Sequence, residues 1–266
     1  MYSIKACKDS KIDDLILYRD LKFEDTIRMF CALDKNSTNV SKTISKMLEV
    51  AGEYGLHGNL WANILALALA YNENVYSKAT EIVGETSGSI NTFAIHDFKI
   101  LRELIQFVPN INGDLLREIY HYEGNGRDSK LVNTRVRDRI LRLSKQLSSV
   151  MSDNDFKNIV TEFYKEYGVG KFGLNKAFRI EESNDLNSAN IIPITRVEHV
   201  YLKDIIGYDI QKKKLTHNTE SFINGKPANN CLLYGDAGTG KSSSVKAIVN
   251  EYYDRGLRII EIYKHQ

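Results

Sequence analysis

Eight consecutive residues carry the clearest chemistry in this chain: Gly235, Asp236, Ala237, Gly238, Thr239, Gly240, Lys241 and Ser242. They fit the phosphate-loop pattern G-x-x-x-x-G-K-[ST] at every fixed position. A triphosphate presents several negative charges and many acceptor oxygens. Backbone N–H groups can cradle it where no side chain intrudes, which accounts for Gly235, Gly238 and Gly240. Lys241 supplies a compact positive charge for the β and γ oxygens. The Ser242 hydroxyl suits one ligand position of Mg²⁺, a hard ion that favours oxygen, and Ser243 follows it in the first helical turn. Asp236 is the odd member, because an acid repels phosphate. It occupies a free position of the pattern.

Such a loop must sit between a strand and a helix. The apolar run Cys231-Leu232-Leu233-Tyr234 predicts the strand, and Val245, Ile248, Val249 and Tyr252 recur at helical spacing after the loop. The expected helix, Ser242–Asp254, points unpaired N–H groups and a positive dipole end at the phosphates. Gly256 ends it, and Leu257–Tyr263 reads as a final strand.

The rest of the chain reads mostly as helix. Helices are expected near Ser41–Tyr54, Leu60–Tyr71, Thr92–Phe107, Asp114–Tyr122, Lys130–Val150, Asp153–Tyr167 and Asp209–Ile223. Pro109 closes the third, Gly168 caps the sixth, and Gly225 with Pro227 ends the last. The polar stretch Ser183–Asn190 is the best domain boundary. The organisation expected is a mostly helical N-terminal domain over 1–182, a linker over 183–190, and a nucleotide-binding domain over 191–266.

Composition narrows the function classes. The 266 residues are 42% hydrophobic, with three prolines and a net charge of +2. These values fit a globular protein of one or two domains and select no charged partner. Cys7, Cys31 and Cys231 form no paired spacing, so no disulfide framework or zinc site is indicated, and they suit a reducing compartment. The N-terminus shows no signal-peptide pattern, and the most apolar stretch, Leu60–Tyr71, is too short to span a bilayer. The expectation is a cytoplasmic protein with no membrane partner.

One basic stretch stands out, with Arg127, Lys130, Arg135, Arg137, Arg139, Arg142 and Lys145 flanking an apolar stripe of Val136, Ile140, Leu143, Leu147 and Val150. It could dock nucleic acid or an acidic partner. The better reading is the solvated side of a packed helix.

Residues Leu202 to Gln266 resemble the start of an AAA+ ATPase module. In such modules a hydrophobic-Gly pair ahead of the first strand lines the adenine pocket, and Ile206-Gly207, within Asp204-Ile205-Ile206-Gly207-Tyr208, matches it. Ser242 stands where threonine is commoner, and Asp236-Ala237 replace the usual prolines. Gly207-Tyr208, Asn218-Thr219-Glu220, Gly225 to Asn230, Leu232 to Asp236 and Lys241-Ser242-Ser243 further resemble a bacterial family of AAA+ type known only as a domain of unknown function (family 815). Upstream, Gly173 to Arg179 resembles it too.

The resemblance implies an α/β P-loop NTPase domain, incomplete at its C-terminus, behind a mostly α-helical N-terminal domain. It implies ATP and Mg²⁺ as ligands. It also implies a possible homo-oligomer in the full-length protein, and an unidentified protein or nucleic-acid partner chosen by the helical domain. Hydrolysis in AAA+ proteins needs acidic residues on a further strand, a polar sensor and an arginine from a neighbouring subunit. All should lie beyond Gln266, so Glu261 receives no catalytic role and the chain reads as the front part of a longer protein. Three functional readings stay open: an AAA+ type ATPase, a nucleotide-dependent binding module that never turns ATP over, and a non-functional fragment.

Overall fold

The computed structural model describes residues 10–124, 132–182, 189–194 and 197–263. The chain forms two compact units, Met1–Leu174 and Asn175–Gln266.

The first unit holds ten helices among the described residues: α1 (Ser10–Asp13), α2 (Glu24–Cys31), α3 (Val40–Tyr54), α4 (Leu60–Tyr71), α5 (Val75–Val83), α6 (Ile90–Ile105), α7 (Gly113–Tyr120), α8 (Thr134–Ser148), α9 (Asp153–Tyr167) and α10 (Gly170–Leu174). Its centre is α4, whose residues from Leu60 to Ala70 are all buried. A helix apolar on every side must be enclosed on every side, and α3, α6, α7 and α8 surround it. The Asn59 side chain accepts from the Ala62 N–H at 3.1 Å and so starts the helix, a contribution of about 1 kcal/mol. Trp61 stacks on Phe30 with ring centroids 4.3 Å apart, and its Nε1 donates to the Leu104 carbonyl at 2.7 Å.

Two buried polar groups tie distant segments to this core. The Asp97 carboxylate on α6 is fully buried and accepts from the backbone N–H groups of Ile16, Leu17 and Tyr18. Tyr164 on α9 donates to the Leu69 carbonyl at 2.8 Å.

The basic stretch turns out to be packed. Val136, Ile140, Leu143 and Leu147 are buried, and α8 lies against α4. Arg139 stacks over the Tyr167 ring at 4.1 Å, Arg142 donates to the Tyr167 hydroxyl, and Arg137 pairs with Asp138 at 2.8 Å. The helix begins at Thr134, behind an Asn133 cap, rather than at Lys130. Arg127, Lys130 and Cys7 lie outside the described residues.

The second unit holds a three-stranded sheet in the order β2-β1-β3. Its strands are β1 (Ala177–Glu182), β2 (Ala189–Pro193) and β3 (Ile259–Glu261). β1 runs antiparallel to β2 and parallel to β3, with Phe178 opposite both Pro193 and Ile260. Two longer helices accompany it, α11 (Asp209–Ile223) and α12 (Lys241–Tyr252).

The sheet changes two expectations. The compact units divide after Leu174, not at 182, because residues 177–182 pair with both β2 and β3. Of the expected linker, residues 183–188 lie outside the described residues, while Ala189 and Asn190 belong to β2. The expected strand at Cys231–Tyr234 does not form: no described segment offers it ladder hydrogen bonds, and an apolar run becomes a strand only beside a partner. The last strand shortens to Ile259–Glu261 and pairs with β1. The architecture is therefore a helix-rich chain with a small mixed sheet. No helix among the described residues is long and apolar enough to cross a membrane.

Candidate phosphate-binding site

Residues 226–234 lead into the loop without regular structure. The Asn218 side chain on α11 holds this lead, accepting from the Asn229 N–H at 2.8 Å and donating to the Asn229 carbonyl at 2.7 Å. Beyond that staple Leu232 and Tyr234 are 83% and 87% exposed.

The loop itself closes tightly. Gly238 and Gly240 both take φ +79°, and Gly235 takes +141°. A Cβ on Gly238 would meet nothing within 4 Å, so backbone conformation rather than space demands glycine there. The Thr239 hydroxyl donates to the Asp236 carbonyl at 2.8 Å and draws the turn together. Asp236 is exposed.

Lys241 folds over the loop. Its Nζ donates to the carbonyls of Gly235 at 2.9 Å and Asp236 at 2.6 Å, and to Thr239 Oγ1 at 3.3 Å. All three acceptors are uncharged. An ammonium held this way keeps its charge available to an incoming anion, because phosphate oxygens are the stronger acceptors.

Gly240 stands at the N-terminus of α12 without any side-chain cap. The first ladder bond beyond it runs from the Ser244 N–H to the Gly240 carbonyl at 2.8 Å. The N–H groups of Lys241, Ser242 and Ser243 thus have no acceptor within the helix. Three free donors, the helix dipole and one lysine converge where the sequence places phosphate. Ser242 is exposed at this end, with its hydroxyl open to a metal ion. The donor set fits a Mg²⁺-bound triphosphate.

The other expected site residues, Ile206 and Gly207, lie in the segment ahead of α11. A 3-10 turn at Leu202–Asp204 leads to Ile205, whose Cγ2 would sit 3.8 Å from a Cβ placed on Gly240. Ile206 follows, 93% exposed. Gly207 takes φ +78° and Tyr208 φ +56°, and this left-handed pair turns the chain into α11. Lys212 Nζ donates to the Ile205 carbonyl at 3.0 Å and fixes that turn. The structure thus brings Ile205 close to Gly240, and Ile206 and Gly207 follow it in the chain.

Sequence reading misses the residues that hold this segment. Glu198, Lys246, Asn250 and Glu251 connect it to α12. The one signal available is Asn250, a poor helix former inside a helix whose neighbours Ala247, Ile248 and Val249 are apolar. Near the end of α12, burial and then the hydrogen bond to Glu220 push the Tyr252 phenol above its ordinary range. Glu261 on β3 accepts from the Tyr263 hydroxyl at 3.3 Å.

Known proteins bear on the same part of the chain. Residues 174–266 match the family described as "Protein of unknown function (DUF815)". This C-terminal part is related to the DUF815 family, an AAA+-related group. The match coincides within one residue with the second compact unit. The Replication factor C large subunit of Staphylothermus marinus is 44% identical over 62 residues, which is 23% of this chain and 14% of that relative. No solved structure matches.

Proposed function

We propose that the second unit binds ATP with Mg²⁺. Gly235, Asp236, Ala237, Gly238, Thr239 and Gly240 form the backbone cradle, and Lys241 takes the β and γ oxygens. Ser242 is a Mg²⁺ ligand, Ser243 adds an N–H donor, and Ile206 and Gly207 face the purine. The observation that carries this reading is the uncapped N-terminus of α12 with the Lys241 ammonium resting on neutral loop oxygens beside it. A helix N-terminus and a lysine together favour a polyanion over a single carboxylate. Relatedness to an AAA+ group supports the nucleotide as the source of that polyanion.

In the whole protein the bound ATP drives an AAA+ type cycle on a partner selected by the helical unit. Binding is the step that the described residues support. Turnover needs an acid to orient water, and Glu261, hydrogen-bonded to Tyr263, is given no part in it.

The test is calorimetric titration of the full chain with Mg·ATP, with Lys241→Ala as the comparison. Saturable binding that the variant loses supports the assignment. Equal affinity in both proteins overturns it. A bound nucleotide should also raise thermal stability, by about 2.7 kcal/mol at a concentration of about 100 times Kd.

A further inference from the structure

The phosphate cradle and the purine segment hang on one helix. Gly240 begins α12, and farther along that helix three side chains grip residues 198–202. Lys246 pairs with Glu198 at 3.0 Å. The Asn250 amide donates to the carbonyls of both Glu198 and Val200, each at 2.8 Å. Glu251 Oε1 accepts from the Leu202 N–H at 2.9 Å.

Asn250 is the centre of this grip. It is only 5% exposed, and its Oδ1 accepts from Lys176 Nζ. Both amide protons are thus spent on two backbone carbonyls of the strap, two residues apart. A buried amide with both donors satisfied fixes its acceptors more firmly than an exposed ion pair does. The strap then runs through the Leu202–Asp204 turn to Ile205, beside Gly240, and on to Ile206-Gly207.

Resting on the ATP assignment, we propose that Asn250 is a positioning residue that sets the distance between the phosphate cradle and the Ile206-Gly207 segment, and through it the recognition of the base. It touches no nucleotide. Its contribution is felt by a ligand that spans both halves of the site and not by one that fills the cradle alone.

The experiment measures affinities for Mg·ATP and Mg·tripolyphosphate in the full chain, wild type against Asn250→Asp. The substitution removes both donors and keeps an acceptor for Lys176. The expected result is a loss of about tenfold for ATP, the equivalent of one or two hydrogen bonds, with tripolyphosphate affinity unchanged. ATP preference over GTP should shrink in the same variant. Equal losses for both ligands, or no loss for either, overturn the positioning role. Wild-type protein that binds neither ligand overturns the nucleotide assignment itself, a separate failure. Glu251→Ala, at an exposed position, gives a second route if Asn250→Asp does not fold. It should show the same split between ligands at about two- to threefold, and the absence of that split counts against the role in the same way.

Discussion

Two apolar runs of this chain meet opposite fates. In α4, Leu67 and Leu69 are fully buried, while Leu232 and Tyr234, ahead of the phosphate loop, are 83% and 87% exposed. Composition does not separate them. A helix closes its own backbone hydrogen bonds, so α4 needs only side-chain neighbours, and the surrounding helices supply them. A strand needs another backbone at its side. Among the described residues none pairs with Cys231–Tyr234, and the run stays irregular. The helical unit therefore draws its stability from packing, while the phosphate loop is built from local hydrogen bonds and glycine conformations.

The largest effect expected from this contrast is in the helical core. Trp61→Ala should cost about 4 kcal/mol, because it removes the stack on Phe30 and the indole hydrogen bond to the Leu104 carbonyl. Urea unfolding measures it, and a loss below about 1 kcal/mol would break the contrast. Alkali should act on the same core. Burial above all pushes the Tyr18, Tyr54 and Tyr164 phenols up. With folded-state values above the ordinary phenol value near 10, the folded chain holds protons that the unfolded chain releases. The stability from these groups is full below about pH 10 and falls above it, by up to about 1.4 kcal/mol per pH unit for each phenol. Ultraviolet titration should show these tyrosines ionising together with unfolding. All fifteen tyrosines ionising near pH 10 in a chain that remains folded would contradict the assignment.

In the second unit the effects should move from folding to binding. Lys241→Ala should weaken Mg·ATP by roughly 2–3 kcal/mol, the worth of a charge-assisted contact, while shifting nucleotide-free stability by less than about 0.5 kcal/mol. Titration and unfolding of the same variant read both quantities. A large stability loss would mean that the lysine serves the loop's own fold. The smallest effect sharpens the comparison directly. Leu67→Ala should cost about 3 kcal/mol and Leu232→Ala less than about 0.5 kcal/mol. Similar costs for the two would show that residues 231–234 are buried in solution.

The sequence reads well where signals are local. The bounds of α4, α9 and α11 agree with the spacing of their apolar residues, and α4 and α9 begin at capping side chains, Asn59 and Ser152. It reads poorly where local signals are missing. α2 starts after Phe23, a left-handed residue with no side-chain cap, and its apolar stripe, Ile27, Phe30 and Cys31, covers little more than one turn. α5 has a capping box at Asn74 and Ser77, but Val75, Ile82 and Val83 are exposed, which blurs its apolar face. β1 escapes notice because Ala177–Glu182 mixes apolar and charged residues, and one of its two partners, β3, lies some eighty residues later.

By itself the sequence determined the phosphate loop, since its glycines, lysine and serine are contiguous and their chemistry follows from residue type and backbone freedom. It also singled out the pair Ile206-Gly207, through a family resemblance, but not what holds that pair in place. Only the tertiary structure decided that α12, which begins at the loop, also holds residues 198–202, through contacts between Asn250 and a segment 52 residues earlier. It likewise decided that residues 177–182 belong with the second unit and that Cys231–Tyr234 remains unpaired. These outcomes depend on which distant backbone lies within hydrogen-bond reach, and no local pattern encodes that.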